Sequence, residues 1–301
     1  MYDLIIIGGG PAGLTAAIYA IRRRLNVLLV SKDLGGKTNY HLELPDVQSY
    51  RVVTGAEIVN KFKSELEYLQ FARHMESVAK VEKVDGRFIV HTEGGGELQA
   101  KAVIVATGAR QQWLDVPGEK EFFFKGMCYS ALSYAPLFID KQTVVVGEGD
   151  LALHSATELS MVAKHVHVVG PSHEALESPL GQKLVEAKNV TLLEDYRVTR
   201  LEGNGFCNAV VVQSPAGEEM TLEAEGTFVE KNLTANVEMV TGLADLDENG
   251  FVVVDPYSRT NVPGLFAAGD VTNIYAEQVL VAVGEGVKAA LSAYEYLLPM
   301  L

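Results

Sequence analysis

The chain is poor in sulfur and in positive charge. Two cysteines, Cys128 and Cys207, occur among 301 residues, too few for a disulfide framework. No run of about 18 apolar residues is present to span a bilayer as a helix. Lysine and arginine number 25 against 39 acids, a formal charge of −14. That balance excludes nucleic acid and an anionic membrane surface as expected partners, because both are held by clustered cations. Nine acids (Glu218, Glu219, Glu223, Glu225, Glu230, Glu238, Asp245, Asp247, Glu248) fall in one stretch opposed by Lys231 alone, which reads as a solvated acidic face. No charged leader precedes the first apolar run, so the cytoplasm is the expected location.

What is present is a large apolar fraction, 48% of residues, enough to build two domains. LIII (4–7) and NVLLV (26–30) are continuous apolar runs, as parallel strands covered on both faces require. Between them PAGLTAAIYAIRRR reads as an amphipathic helix. Its Arg22, Arg23 and Arg24 stand at the C-terminal end, where they suit the helix dipole. A second helix is expected over 55–71, with Ile58, Phe62, Leu66 and Leu69 on one face. Short strands follow at 78–84, 87–92 and 98–99, then AVIVATG (102–108) as a buried strand ending in small residues. VPGE (116–119) leaves this domain. A second strand, turn and helix begin at Thr143, with HVHVV (165–169) as the next strand. The chain returns near Gly242 and ends in LFAAGDV and a helix over 278–297. One domain inserted in another is the simplest account of this order.

Two glycine turns carry the chemistry. Gly8, Gly10 and Gly13 form GxGxxG between a strand and a helix. The first permits the tight turn, the second admits a pyrophosphate close to the backbone, and the third lets helix and strand pack. The helix start then offers free N–H groups and a positive dipole end to phosphates. A carboxylate ending the second strand, which would hold a ribose, is missing. Ser31 can bond a ribose hydroxyl, and Asp33 stands two residues further along.

The second turn keeps Gly147, Gly149 and Ala152 after TVVVG. The next strand ends in Gly170, Pro171 and Ser172, without an arginine for a 2′-phosphate or an acid for a ribose. His154, His165, His167 and His173 lie close in sequence, but no Cys or carboxylate pattern completes a metal site. They read as strand-edge residues, and no metal is expected.

IIIGGGPAGLTAAIYA, GGK (35–37), VIVATGARQQWLDVPGE, KGMCYSALSYAPLF and FAAGDVTNIYAEQVLVAVGEGVKAALSAYEYL together resemble the low-molecular-weight thioredoxin reductase family. The alkyl hydroperoxide reductase flavoproteins are the branch they look most like. The resemblance implies an α/β fold of two Rossmann-like three-layer ββα domains, the second inserted in the first. It implies FAD in a discontinuous domain, 1–117 and 243–301, and an NAD(P)H-binding-like domain over 118–242. It implies a homodimer.

The cofactor residues carried over are Gly8, Gly10, Pro11, Ala12, Gly13, Ser31, Gly36, Lys37, Asp46, Ala106, Thr107, Gly108, Gly269, Asp270, Glu277, Gln278 and Val279. Asp270 matches the aspartate of the flavin's ribityl chain, and Gln278 a glutamine near its ring. Lys37 replaces a glutamine of GGQ, and Asp46 replaces an asparagine. A cation at 37 would stabilise an anionic reduced ring; a solvated lysine is the other reading.

Two departures concern catalysis. Ser130, Ser133 and Tyr134 stand where the family has CxxCD, and serine cannot exchange disulfides. Cys128 reads as a packed thiol. In the second turn Leu151 replaces a serine, His154 and Ser155 replace two glutamates, and FVEKNLTAN puts Lys231 and Asn232 where a tight turn is usual. The catalytic residues are therefore unknown, and NAD(P)H use is doubtful. The expected function is a FAD-dependent oxidoreductase working without a dithiol, with a protein donor such as ferredoxin implied by the resemblance. Docking of an acidic ferredoxin would need a local basic patch from Lys37, Arg110 and Arg22 to Arg24. The alternatives are a non-catalytic FAD-binding redox sensor or scaffold, and an NAD(P)H- or ferredoxin-dependent flavoprotein reductase.

Overall fold

A computed structural model describes residues 1–45 and 55–301. Two compact units emerge. The first holds Met1–Asn39, 55–110 and Thr234–Leu301; the second holds 40–45 and Gln111–Leu233. The units part at 110/111 and 233/234, several residues inside the 117/118 and 242/243 boundaries expected from the motifs.

The first unit opens with β1 (Tyr2–Ile7), α1 (Pro11–Arg22) and β2 (Val27–Val30), followed by α2 (Ala56–Tyr68), β3 (Arg73–His74), β4 (Val78–Val84), β5 (Arg87–Thr92) and β6 (Glu97–Val105). Strand β6 has two jobs. Its first half pairs antiparallel with β5, and its second half runs parallel to β1. The expected strand at 98–99 is thus the start of a longer one. Ala102–Val105 continue it because their side chains are buried on both faces.

The alternation in β1 explains its unbroken apolar run. Leu4 and Ile6 pack with the helices, while Ile5 and Ile7 pack with Val81, Phe88 and Val90 of the β4–β5 layer. Each such side chain, fully buried, contributes about 1.5–3 kcal/mol. On α2 the inward residues are Val59 and Leu66, with Phe62 and Leu69 partly buried against the core; Ile58 is exposed, contrary to expectation. Val59 takes the core position in its place, because Val59, Phe62 and Leu66 share one helix face at spacings of three and four.

The chain crosses on β7 (Ala109–Gln111). The second unit is built from β8 (Met127–Cys128), α3 (Ala131–Tyr134), β9 (Gln142–Val146), α4 (Asp150–Ser160), β10 (His165–Val169), α5 (His173–Glu177), α6 (Pro179–Glu186), β11 (Val190–Leu193), β12 (Arg197–Gly203), β13 (Cys207–Gln213), β14 (Glu219–Glu223) and β15 (Gly226–Val229). A parallel sheet in the order β11-β10-β9-β15-β8 carries α4 and α6 on one face. The antiparallel β12-β13-β14 covers the other. The same three-layer plan therefore occurs twice. Strand β10 lies between β9 and β11, so His165 and His167 belong to an interior strand and not to an edge.

The return crossing, β16 (Leu233–Ala235), pairs with β7. β17 (Leu265–Ala267) then adds to the second half of β6, and α7 (Val279–Leu297) packs on α1. Among the described residues no helix is long and apolar enough to cross a membrane.

Candidate functional site

The C-terminal ends of β1, β2, β6 and β17 converge in the first unit. Gly8 follows β1 with φ 109, and a Cβ there would collide with the Ala106 carbonyl oxygen. A Cβ on Gly13 would collide with the Gly8 carbonyl oxygen. These two glycines are therefore required by packing. Gly10 is different: a Cβ there meets nothing within 4 Å, and its φ of −74 suits any residue. Its need for glycine arises only if something outside the chain approaches it.

Gly10 is the N-cap of α1 and gives no side-chain cap; Pro11 opens the helix, and no acid lies in its first turn. The helix start is thus a positive, unblocked end. Ser31, at 9% exposure, places its Oγ beside Gly9. Asp33 holds the turn that follows it, its Oδ1 accepting from the Gly36 N–H at 3.1 Å.

A second glycine pair is fastened onto the first turn. The Gly35 N–H donates to the Gly9 carbonyl at 2.7 Å. Lys37 follows, and its Nζ donates to Asp270 Oδ2 at 3.1 Å. Asp270 is brought there by Gly269, which has φ 78 and packs on Ala12. Thr272 Oγ1 donates to the Gly269 carbonyl at 2.8 Å and fixes the turn. Lys37 is thus neither freely solvated nor isolated. Glu277 shares this field. Loss of surrounding water raises its carboxyl above the ordinary range; Lys37 opposes that rise and Asp270 adds to it. Its side chain is nevertheless open at the surface. Gln278 caps the start of α7, its carbonyl accepting from the Ala282 N–H at 2.9 Å, and Val279 is the first helical residue. Asp46 lies outside the described residues.

Ala106, Thr107 and Gly108 follow β6. Thr107 Oγ1 donates to the Asn236 carbonyl at 2.6 Å, and Asn236 Nδ2 donates to the Thr107 carbonyl at 2.9 Å. Asn236 also accepts from Arg110 at 2.8 Å. Asn236 is absent from the residues expected at the site; its place at the end of FVEKNLTAN was the available signal. The cations expected to form a docking patch are mostly engaged. Arg22 pairs with Glu65 at 3.1 Å, Arg23 lies over the Tyr294 ring, and Arg110 pairs with Glu238 at 2.7 Å.

The second unit's turn has the same backbone plan. Gly147 is required by packing, because a Cβ would collide with the Glu230 carbonyl oxygen. Gly149 has open space and no side-chain cap. Its surroundings differ from the first. Glu148 and Asp150 flank it, both exposed, and Asp150 is in the first turn of α4. At the end of β10, Ser172 caps α5 by accepting from the Ala175 N–H at 3.2 Å. His173, the next residue, faces Glu194 at 3.0 Å and Glu177 at 3.6 Å. Lys231 Nζ is turned onto the Trp113 carbonyl at 3.1 Å.

At the dithiol position Ser130 Oγ donates to Ser133 Oγ at 3.0 Å at the start of α3, and Tyr134 is buried. The Ala131 N–H donates to Glu230 Oε1 at 2.7 Å. Glu230, at 4% exposure, therefore does not belong to the solvated acidic face expected of it. It is inside because it directly follows β15, a strand interior to the sheet, and a helix N–H satisfies it. Cys128 and Cys207 are free and buried. Burial pushes both thiols above their ordinary range, and Glu230 raises Cys128 further. Among the described residues no three His, Cys, Asp or Glu side chains converge to hold a metal ion.

Residues 2–286 match the family profile of pyridine nucleotide-disulphide oxidoreductases. The chain belongs to that family. Of curated oxidoreductases, NADH dehydrogenase of Bacillus subtilis (strain 168) is 33% identical over 99% of this chain and 59% of its own length. An alkyl hydroperoxide reductase component of Pseudomonas aeruginosa is 32% identical over 99% of this chain and 58% of its own. The chain thus spans under two thirds of the length of these relatives. The thioredoxin reductase from Streptococcus pyogenes MGAS5005 superposes with a TM-score of 0.85 at 32% identity, covering 99% and 98% of the two chains. The one from Giardia duodenalis gives 0.86 at 29%, covering 98% of each. Enzymes of this oxidoreductase family and these thioredoxin reductases bind FAD. The residues of the first unit fit that group: an unblocked helix start for pyrophosphate, a serine for a ribose, and a largely buried carboxylate at the sheet's crevice for a polyol.

Proposed function

We propose that this chain is a FAD-dependent oxidoreductase that passes electrons between its flavin and a partner or small acceptor, with no dithiol of its own in the path. The observation that carries this reading is the Ser130–Ser133 hydrogen bond at the start of α3, together with two cysteines buried elsewhere. Two hydroxyls cannot form or resolve a mixed disulfide. FAD, when bound, supplies the electron transfer. The protein's own residues hold it: the α1 start and Gly10 for the phosphates, Ser31 for a ribose, Asp270 for the polyol. Homodimer formation and a cytoplasmic setting belong to the same reading, the latter in keeping with two free thiols.

The second unit is read as a fold element that has lost nucleotide recognition. The exposed carboxylates Glu148 and Asp150 on either side of Gly149 support this reading, as does the lack of an arginine fork at the end of β10. Ferredoxin is the donor that the resemblance favours. The pairing of Arg22 and Arg110 with acids counts against docking on those cations. A second reading, NAD(P)H-dependent reduction, draws support from the family's description and from a relative named NADH dehydrogenase.

The test is turnover. FAD-loaded protein, reduced anaerobically with dithionite, is offered a dye such as dichlorophenolindophenol and, separately, oxidised thioredoxin. Dye reduction with an untouched thioredoxin disulfide is expected. Unaided reduction of thioredoxin by this chain contradicts the proposal.

A further inference from the structure

The Lys37–Asp270 pair links two segments that are each held by hydrogen bonds of their own. On one side, Gly35 is tied to the Gly9 carbonyl and Gly36 to the Asp33 carboxylate, which sets the Lys37 backbone. On the other, the Gly269 turn and Thr272 set Asp270. The ammonium and carboxylate meet at 3.1 Å with side-chain exposures of 35% and 17%. A long side chain loses considerable rotamer freedom when held like this, a cost that backbone anchoring on both sides reduces. Lys37 uses Oδ2 of the carboxylate. Among the described residues Oδ1 makes no hydrogen bond, leaving one oxygen oriented and unused. Glu277 lies in the field of both groups, but the ion pair of Lys37 is with Asp270.

We infer that Lys37 is a positioning residue that orients Asp270 toward the polyol of the cofactor, and that it acts through this carboxylate rather than on the flavin ring. The inference rests on the reading that the first unit binds FAD. It assigns the GGK lysine a charge-assisted hold on the carboxylate, where the neutral amide of the usual glutamine offers only an ordinary hydrogen bond. Lys37 then makes Asp270 a one-sided acceptor: Oδ2 is taken, and a hydroxyl donor has a single, prepared partner.

A double-mutant cycle on FAD affinity tests this, using apoprotein and quenching of flavin fluorescence. Lys37→Gln, Asp270→Asn and the double variant are compared, with Lys37→Arg as the conservative control and thermal melts of each apoprotein to verify folding. Loss of a charge-assisted hydrogen bond predicts about a tenfold weaker FAD affinity in Lys37→Gln. In the Asp270→Asn background the same change is expected to have no further effect, and Lys37→Arg is expected to retain most of the affinity. Additive effects of the two substitutions would overturn the inference while leaving FAD binding intact. So would Lys37→Gln binding FAD as wild type does. Wild-type protein that refuses FAD would overturn both the inference and the functional reading beneath it.

Discussion

The chain contains two glycine turns with one backbone plan and different surroundings. In both, the first glycine is held by packing, against Ala106 in one and Glu230 in the other. In both, the second glycine has open space around it. The first turn leads into a helix start without acids and is braced by Gly35, Lys37 and Asp270. The second is flanked by Glu148 and Asp150, and the helix after the next strand has its start already capped by Ser172. A retained glycine pattern therefore separates into two parts. The packing glycines are required by the fold in either case, whereas the open glycines are not required by any contact among the described residues.

The largest effect tests the shared part. Gly13→Ala and Gly147→Ala each force a Cβ into neighbouring backbone. Each is expected to destabilise its unit by about 1–3 kcal/mol, read by chemical denaturation of the apoprotein. If Gly147→Ala were neutral, the packing account of the second motif would fail.

The next effect separates the turns. Gly10→Ala should leave apoprotein stability within about 0.5 kcal/mol of wild type, as substitutions without a clash do. It should weaken FAD binding by about tenfold or more, because a methyl group then stands between backbone and pyrophosphate. Gly149→Ala should change neither quantity. Equal behaviour of the two variants in an FAD titration would erase the distinction.

The smallest effect lies in the second unit's interior strand. His165 and His167 meet edge to face with ring centroids 4.6 Å apart, and His167 Nδ1 is buried without a hydrogen-bond partner among the described residues. Burial, with His165 adding, lowers the His167 basicity below its ordinary value near 6.5. The unfolded chain then binds more protons than the folded one between the folded value and about 6.5, so stability rises with pH across that window. It is lost as pH falls from about 6.5. His167→Gln should flatten this slope in pH-dependent melts; an unchanged slope would assign it to other groups.

Much of this was legible in the sequence because strand and helix periods are carried by local patterns. The unbroken LIII run foretold a strand buried on both faces, and GGGPAG foretold the turn that follows it. The first inward position of α2 was not legible, since Ile58 and Val59 are both apolar and adjacent, and packing chooses Val59. The fate of Glu230 was hidden for a different reason. Composition places it in an acidic run, whereas the sheet places it inside, against the Ala131 N–H. The Lys37–Asp270 pair joins residues 233 positions apart, a separation over which no local pattern carries information. Asn236 stood in the noted segment FVEKNLTAN, but its pairing with Thr107, 129 positions away, emerged only from the fold.

The central claim is that one turn holds a dinucleotide and the other does not. Its most direct test is an anaerobic titration of the FAD-loaded protein with NADH and with NADPH, following the flavin absorbance. The account predicts that the yellow colour persists with either nucleotide and disappears on addition of dithionite. Bleaching within seconds by stoichiometric NADH or NADPH would contradict it.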